Sequence, residues 1–138
     1  CSSDLKYRCL NLVLTEEEYF DAEFINGCGD FCESINMDFK VLDGLDGEEL
    51  NQGEVYFTLD DSDLIQAIKY ADKQNWKLGQ DMGIISYNDQ GYKEILSGGI
   101  TVLSNQPEKI GRRAAALIGE SYKTTEEIDL ELIVRLSL

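Results

Sequence analysis

Asp81-Met82-Gly83-Ile84-Ile85-Ser86-Tyr87-Asn88-Asp89 is followed, after a short polar connection, by Gly99-Ile100-Thr101-Val102-Leu103-Ser104. Next comes Asn105-Gln106-Pro107-Glu108-Lys109-Ile110-Gly111-Arg112-Arg113-Ala114-Ala115-Ala116-Leu117-Ile118. Gly83–Tyr87 is a short apolar run held between Asp-Met-Gly and Asn-Asp-Gln-Gly. That pattern predicts a buried strand ending abruptly at a polar edge. Ile100–Leu103 predicts a second. Pro107 suits the first turn of a helix, where its missing N–H has no intrahelical partner. The helix then runs through Ile118, with Ile110, Ala114, Leu117 and Ile118 expected on its buried side.

Working outward, the same alternation of strand and helix repeats. Leu10–Leu14 reads as a strand running into Thr15-Glu16-Glu17-Glu18. There Thr15 can cap a helix, Glu18 is its capping-box partner, and the acidic first turn suits the helix dipole. This helix is expected to reach about Asn36, with Gly27 and Gly29 marking a bend or close packing. Met37–Leu42 and Val55–Leu59 read as strands. Asp60-Asp61-Ser62-Asp63 opens a helix with Leu64, Ile65, Ala67, Ile68 and Ala71 inward, ending near Gln74. In Ile128–Leu136, Leu130, Leu132, Val134 and Leu136 alternate as one face of a strand. Strands that are apolar throughout, alternating with helices, imply an α/β fold whose parallel sheet is covered on both faces.

Composition narrows the function. The chain has 138 residues, 43% hydrophobic and 28% charged, ordinary for a soluble globular domain. No apolar run approaches the ~20 residues of a membrane helix. The net charge is −15, and it is uneven: residues 1–105 hold 7 Lys/Arg against 21 Asp/Glu, residues 106–138 hold 5 against 6. Such a surface repels a phosphate backbone, so direct nucleic-acid binding is not expected. Cys1, Cys9, Cys28 and Cys32 are not spaced as a disulfide framework, and there is no His to complete a mixed zinc site. Cys28 and Cys32 share a helix face and read as small apolar residues. No signal peptide is visible, and the localisation expected is a reducing cytoplasm.

The strand ends carry the chemistry. In an open α/β sheet, ligands bind beyond the carboxyl ends of the strands. Those ends read Thr15-Glu16, Asp43-Gly44, Asp60-Asp61 and Asn88-Asp89. Carboxylate and amide oxygens accept hydrogen bonds from hydroxyls, so Thr15, Asp43, Asp60, Asp61, Asn88 and Asp89 form a candidate rim for a sugar-like ligand. Tyr56, Tyr87 and Tyr92 are candidate stacking partners. A structural reading stands beside this one: Asp60 or Asp61 can cap the following helix, and Asn88-Asp89 can form a turn. A Mg²⁺ site on Asp43, Asp60 and Asp61 would need further groups at fixed places. Thr15-Glu16 supplies one acid where a receiver-type site needs two, and no Lys lies between Tyr87 and Lys93. With no His and no Gly-x-Ser-x-Gly elbow, no enzyme, cofactor or metal is expected.

The ordered set Ile84-Ile85-Ser86-Tyr87-Asn88-Asp89, Gly99-Ile100-Thr101-Val102-Leu103-Ser104, Gln106-Pro107 and Ile110-Gly111-Arg112-Arg113-Ala114 resembles the end of the effector domain of the lactose/galactose-repressor (LacI/GalR) family. It is similar also to the effector domain of those GntR-family regulators that carry the same domain. The resemblance implies a periplasmic-binding-protein type I fold, of which this chain matches the second half. It implies a C-terminal lobe at residues 1–99, a crossover strand and helix at 100–127 belonging to the other lobe, and a returning strand at 128–138. It further implies a small-molecule effector gripped between two lobes, with the first residue of each pair, Asp60 and Asn88, facing it. A homo-oligomer is expected, reaching DNA only through a head domain not in this chain. One departure is plain: the family's effector-clamping Arg has no counterpart, since no Arg lies between Arg8 and Arg112. The alternative is an extracytoplasmic solute-binding lipoprotein of the same fold, suggested by Cys1-Ser2-Ser3.

Overall fold

The computed structural model describes residues 6–14, 22–118 and 130–138. Six strands form one sheet: β1 (Cys9–Leu14), β2 (Asp38–Asp43), β3 (Glu54–Thr58), β4 (Gly83–Tyr87), β5 (Thr101–Ser104) and β6 (Glu131–Ile133). Four helices accompany them: α1 (Ala22–Ser34), α2 (Asp61–Gln74), α3 (Gly91–Ile95) and α4 (Pro107–Ile118). The strand order is β2-β1-β3-β4-β5-β6. The first five strands are parallel, and β6 returns antiparallel to β5. This is the expected α/β lobe of a periplasmic-binding-protein-like fold.

The layers follow from strand alternation. All five residues of β3 are buried, as a strand covered on both faces requires. Tyr56 packs into the cluster that α2 builds with Leu64, Ala67, Ile68 and Ala71. Its neighbour Phe57 points the other way and meets Phe24 of α1 edge-on, ring centroids 5.8 Å apart. The helices α1 and α2 therefore cover opposite faces. Gly29 allows the close approach on the first face, since a Cβ there would stand 3.3 Å from the Phe39 ring.

Asparagine ends both α1 and α2. Asn36 and Asn75 adopt φ of 57° and 60°, the left-handed conformation that Asn tolerates better than most residues. In each case the next residue bonds back five positions, Met37 N–H to Cys32 O and Trp76 N–H to Ala71 O. That is a Schellman closure.

Several expectations need correction. Ile65 is 44% exposed, because the buried stripe of α2 is Leu64, Ala67, Ile68 and Ala71, and Ile65 lies about 100° round the helix from Leu64. The apolar alternation near the end of the chain also misleads. Leu130, Leu132, Val134 and Leu136 are exposed, while the opposite parity, Ile133, Arg135 and Ser137, faces inward. The strand there is short, Glu131–Ile133. On α4, Ala114 is exposed because that face of the helix is turned to solvent, and the side chains of Ile110, Leu117 and Ile118 lie outside the described residues. The Thr15–Glu18 helix start also lies outside them.

The tail after β6 seals the lobe. Ser137 is fully buried; its hydroxyl donates to Ile84 O and accepts from Thr101 N–H, both at 2.7 Å. Ile84 N–H in turn donates to Ser137 O at 2.8 Å. Gly79 and Gly98 leave room for this crossing, since a Cβ on Gly79 would overlap the Leu136 carbonyl oxygen. Beyond it, Leu138 O accepts from Lys6 Nζ and the Tyr7 hydroxyl.

Candidate functional site

Parallel pairing puts the carboxyl ends of five strands on one edge. Leu14 pairs with Asp43, Thr58 with Ser86, and Tyr87 with Leu103. The chain moves outward from β1 to β2, then returns past β1 to β3, so the sheet reverses direction between β1 and β3. Crevices at such a reversal are where open α/β sheets take ligands. Asp60 follows β3 at this point and Asn88 follows β4 beside it. The two residues thus follow neighbouring strands at one edge of the sheet.

Each rim residue already has local work. Asp60 is the N-cap of α2, extended at φ −107°, and its Oδ1 accepts from Ser62 N–H at 3.2 Å. Asp61 opens the helix and pairs with Lys93, Oδ1 to Nζ 3.0 Å. Asp89 receives a two-pronged contact from Arg135, Nη1 to Oδ1 3.0 Å and Nη2 to Oδ2 3.1 Å. That fork raises the Arg135 pKa above its ordinary value. Asp43 is exposed at the end of the outer strand β2, with β1 standing between it and β3. Thr15 lies outside the described residues. The edge therefore unites Asp60, Asp61, Asn88 and Asp89, and leaves Asp43 apart.

Asn88 differs from its neighbours. Its φ is 68°, its N–H donates to Leu103 O at 2.8 Å, and its carbonyl accepts from Lys93 Nζ at 2.9 Å. Its side-chain Oδ1 is buried and has no hydrogen-bond partner. A buried acceptor left unpaired costs about 1–3 kcal/mol.

The stacking candidates separate. Tyr56 is 1% exposed within β3, where the alternation of a doubly covered strand sends it into the core. Its hydroxyl accepts from Asn51 N–H, and burial pushes its pKa up to about 12. It cannot meet a ligand at the edge. Tyr87 and Tyr92 lie near the rim and are partly accessible.

Three residues of the site escaped sequence reasoning. Lys93 lies only five residues beyond Asn88 but reads as an ordinary surface lysine, and Arg135 is remote from the strand ends in sequence. The third is Asp63, buried in the first turn of α2. Its Oδ1 accepts from Leu45 N–H at 3.3 Å and its Oδ2 has no partner. Burial raises its pKa, and the charge of Asp60 adds to the effect. The alternation Ile133, Arg135, Ser137 was the available signal for Arg135; nothing local marks Lys93.

A cavity of about 380 Å³ opens on this edge beside β5. Asp89, Ser104, Gln106, Lys109, Arg112 and Glu131 line it. Pockets of ~300 Å³ and above hold small molecules. Its walls carry both signs of charge. The three described cysteines are no part of this edge. Cys9, Cys28 and Cys32 are free thiols, and burial raises the pKa of each, that of Cys9 to about 11 with Glu54 adding to it. They remain protonated and weakly nucleophilic near neutral pH. Among the described residues, no group of three or more His, Cys, Asp or Glu could hold a metal ion, and no helix is long and apolar enough to cross a membrane.

A family model described as a periplasmic binding protein-like domain matches residues 15–137. No curated protein matches the chain significantly. Solved structures do. A LacI family transcriptional regulator from Bifidobacterium animalis subsp. lactis aligns with a TM-score of 0.72 and 22% identity, over 95% of this chain and 55% of that one. A sugar-binding transcriptional regulator of the LacI family from Enterococcus faecalis gives 0.71 and 16%, over 94% and 56%. A LacI family regulator from Arthrobacter sp. FB24, solved in complex with lactose, gives 0.71 and 12%, over 96% and 57%. The chain thus spans little more than half the length of these structures, and identities this low speak for the fold.

Proposed function

This chain belongs to the periplasmic binding protein-like domain family, and from that premise we propose that it is the ligand-sensing half of a bacterial transcription regulator of LacI/GalR type. It binds and does not transform. The observation that carries this reading is the buried, unpartnered Oδ1 of Asn88 on the strand-end edge. Asp60 follows the neighbouring strand β3 as the N-cap of α2, and the likeness to LacI-family regulators supports the assignment. The effector is a small sugar-like molecule, whose hydroxyls suit the acceptors Asp60 and Asn88. Asp61 and Asp89 brace the rim from within their ion pairs.

On this reading the edge is one jaw of a two-lobed clamp. Residues 1–99 are the C-terminal lobe, 100–127 cross over, and 128–138 return. β5 is anchored in this sheet beside β4, and α4 leaves it toward the second lobe. An effector contacting both lobes favours the closed arrangement by its difference in affinity for the two states. A DNA-binding head, of GntR or helix-turn-helix type, reads the change in a cytoplasmic homo-oligomer. The acidic chain itself stays off the DNA.

The test is a thermal-shift panel of mono- and disaccharides, lactose among them, on the full-length protein. A ligand at hundredfold excess over its Kd stabilises by about 2.7 kcal/mol, so at least one sugar is expected to raise Tm by several degrees. A flat response across the panel contradicts the sensing role.

A further inference from the structure

Lys93 sits on α3 with its side chain fully buried. Its ammonium meets three acceptors: Tyr87 O at 3.0 Å, Asn88 O at 2.9 Å and Asp61 Oδ1 at 3.0 Å. An ammonium has three N–H donors, so each is spent and none is left for a ligand. The backbone of Lys93 adds two more ties, its N–H donating to Gln90 O and its carbonyl accepting from Ile100 N–H, both at 2.8 Å. One residue therefore fastens the end of β4, the start of α2 and the approach to β5.

Two unfavourable features meet at this point. A buried ammonium is costly unless it is paired and hydrogen-bonded. A left-handed asparagine is less stable than one in the ordinary helical or extended regions. The contacts of Lys93 Nζ with the Tyr87 and Asn88 carbonyls offset both. With both carbonyls occupied, the side chain is what Asn88 has left to offer a ligand.

Resting on the proposed sensing role, we infer that Lys93 is the positioning residue of the effector site, with Asp61 as its counter-ion. It holds Asn88 left-handed and leaves its Oδ1 unsatisfied. The ligand group facing that oxygen is accordingly a hydrogen-bond donor, a hydroxyl or an amine. Because the ammonium is buried and saturated, it does not serve as an anion clamp.

The test is hydrogen–deuterium exchange read by mass spectrometry on the full-length protein and its K93M and D61A variants, with no sugar present. Asp61 is partly exposed, so D61A removes the counter-ion without opening the core. Peptides covering 86–90 are expected to exchange about tenfold faster in both variants, while those covering β1 and β3 keep their wild-type rates. K93R, which restores the charge and donors, is expected to recover part of the protection. Wild-type exchange at 86–90 in D61A overturns the assignment, as does equal acceleration of all core peptides, the mark of general destabilisation. If K93M fails to fold, D61A decides alone. The readout needs no effector, so a failed sugar panel and a failed positioning role remain distinguishable.

Discussion

Asp63 shows how a single buried oxygen gives the fold a pH dependence. Its raised pKa means that the folded state holds the proton more tightly than the unfolded state. Below the ordinary carboxylate range both states are protonated. Through the window up to the raised value the folded state binds more protons, so stability falls as pH rises. Above that value the folded protein carries an ionised, half-satisfied carboxylate. Asp63→Asn removes the charge and keeps an acceptor for Leu45 N–H. Its stability relative to wild type is therefore expected to improve by about 1 kcal/mol at neutral pH and to converge with wild type in acid. Thermal melts of both proteins across pH 3 to 8, a span chosen to bracket the ~3.9 of a free Asp carboxyl, check this. A gain that grows toward acid would give the opposite sign.

At the scale of elements, the tail that follows β6 locks the sheet more firmly than its three-residue strand suggests. Ser137 bridges Thr101 N–H and Ile84 O from a fully buried position. Ser137→Ala strands a buried donor and is expected to cost about 1–3 kcal/mol in urea unfolding; a change within error would show that the bridge contributes nothing. The same tail marks where sequence reasoning stopped. Gly83–Tyr87, Asp61–Gln74 and Pro107–Ile118 were legible because their apolar runs end on strong local signals: Asn-Asp, an N-capping Asp60, a helix-starting Pro107. Asp60 and Asn88 were legible for the same reason, since polar residues at strand ends fall on one edge whenever the sheet is parallel. The parity of the tail was not. Its leucines alternate as core residues do, yet the inward positions are Arg135 and Ser137, chosen by hydrogen bonds formed across more than thirty residues of sequence. Lys93 was invisible for a similar reason: a lysine reads as surface until three acceptors converge on it.

At the scale of the molecule, the lobe offers one edge where the sheet reverses direction, where Asp60 and Asn88 follow neighbouring strands, and where a cavity of about 380 Å³, lined by Asp89 and not by those two, opens beside β5. The chain's net charge of −15 repels a phosphate backbone. The most direct measurement is a calorimetric titration of the full-length protein and its Asn88→Gly variant with the sugar that most raises Tm. Glycine adopts the left-handed turn without strain, so the backbone stays and only the amide is lost. Affinity is predicted to fall about tenfold or more, the ~1.4 kcal/mol expected of one hydrogen bond to a buried acceptor. An unchanged Kd in a variant that melts like wild type would contradict a ligand site at this edge.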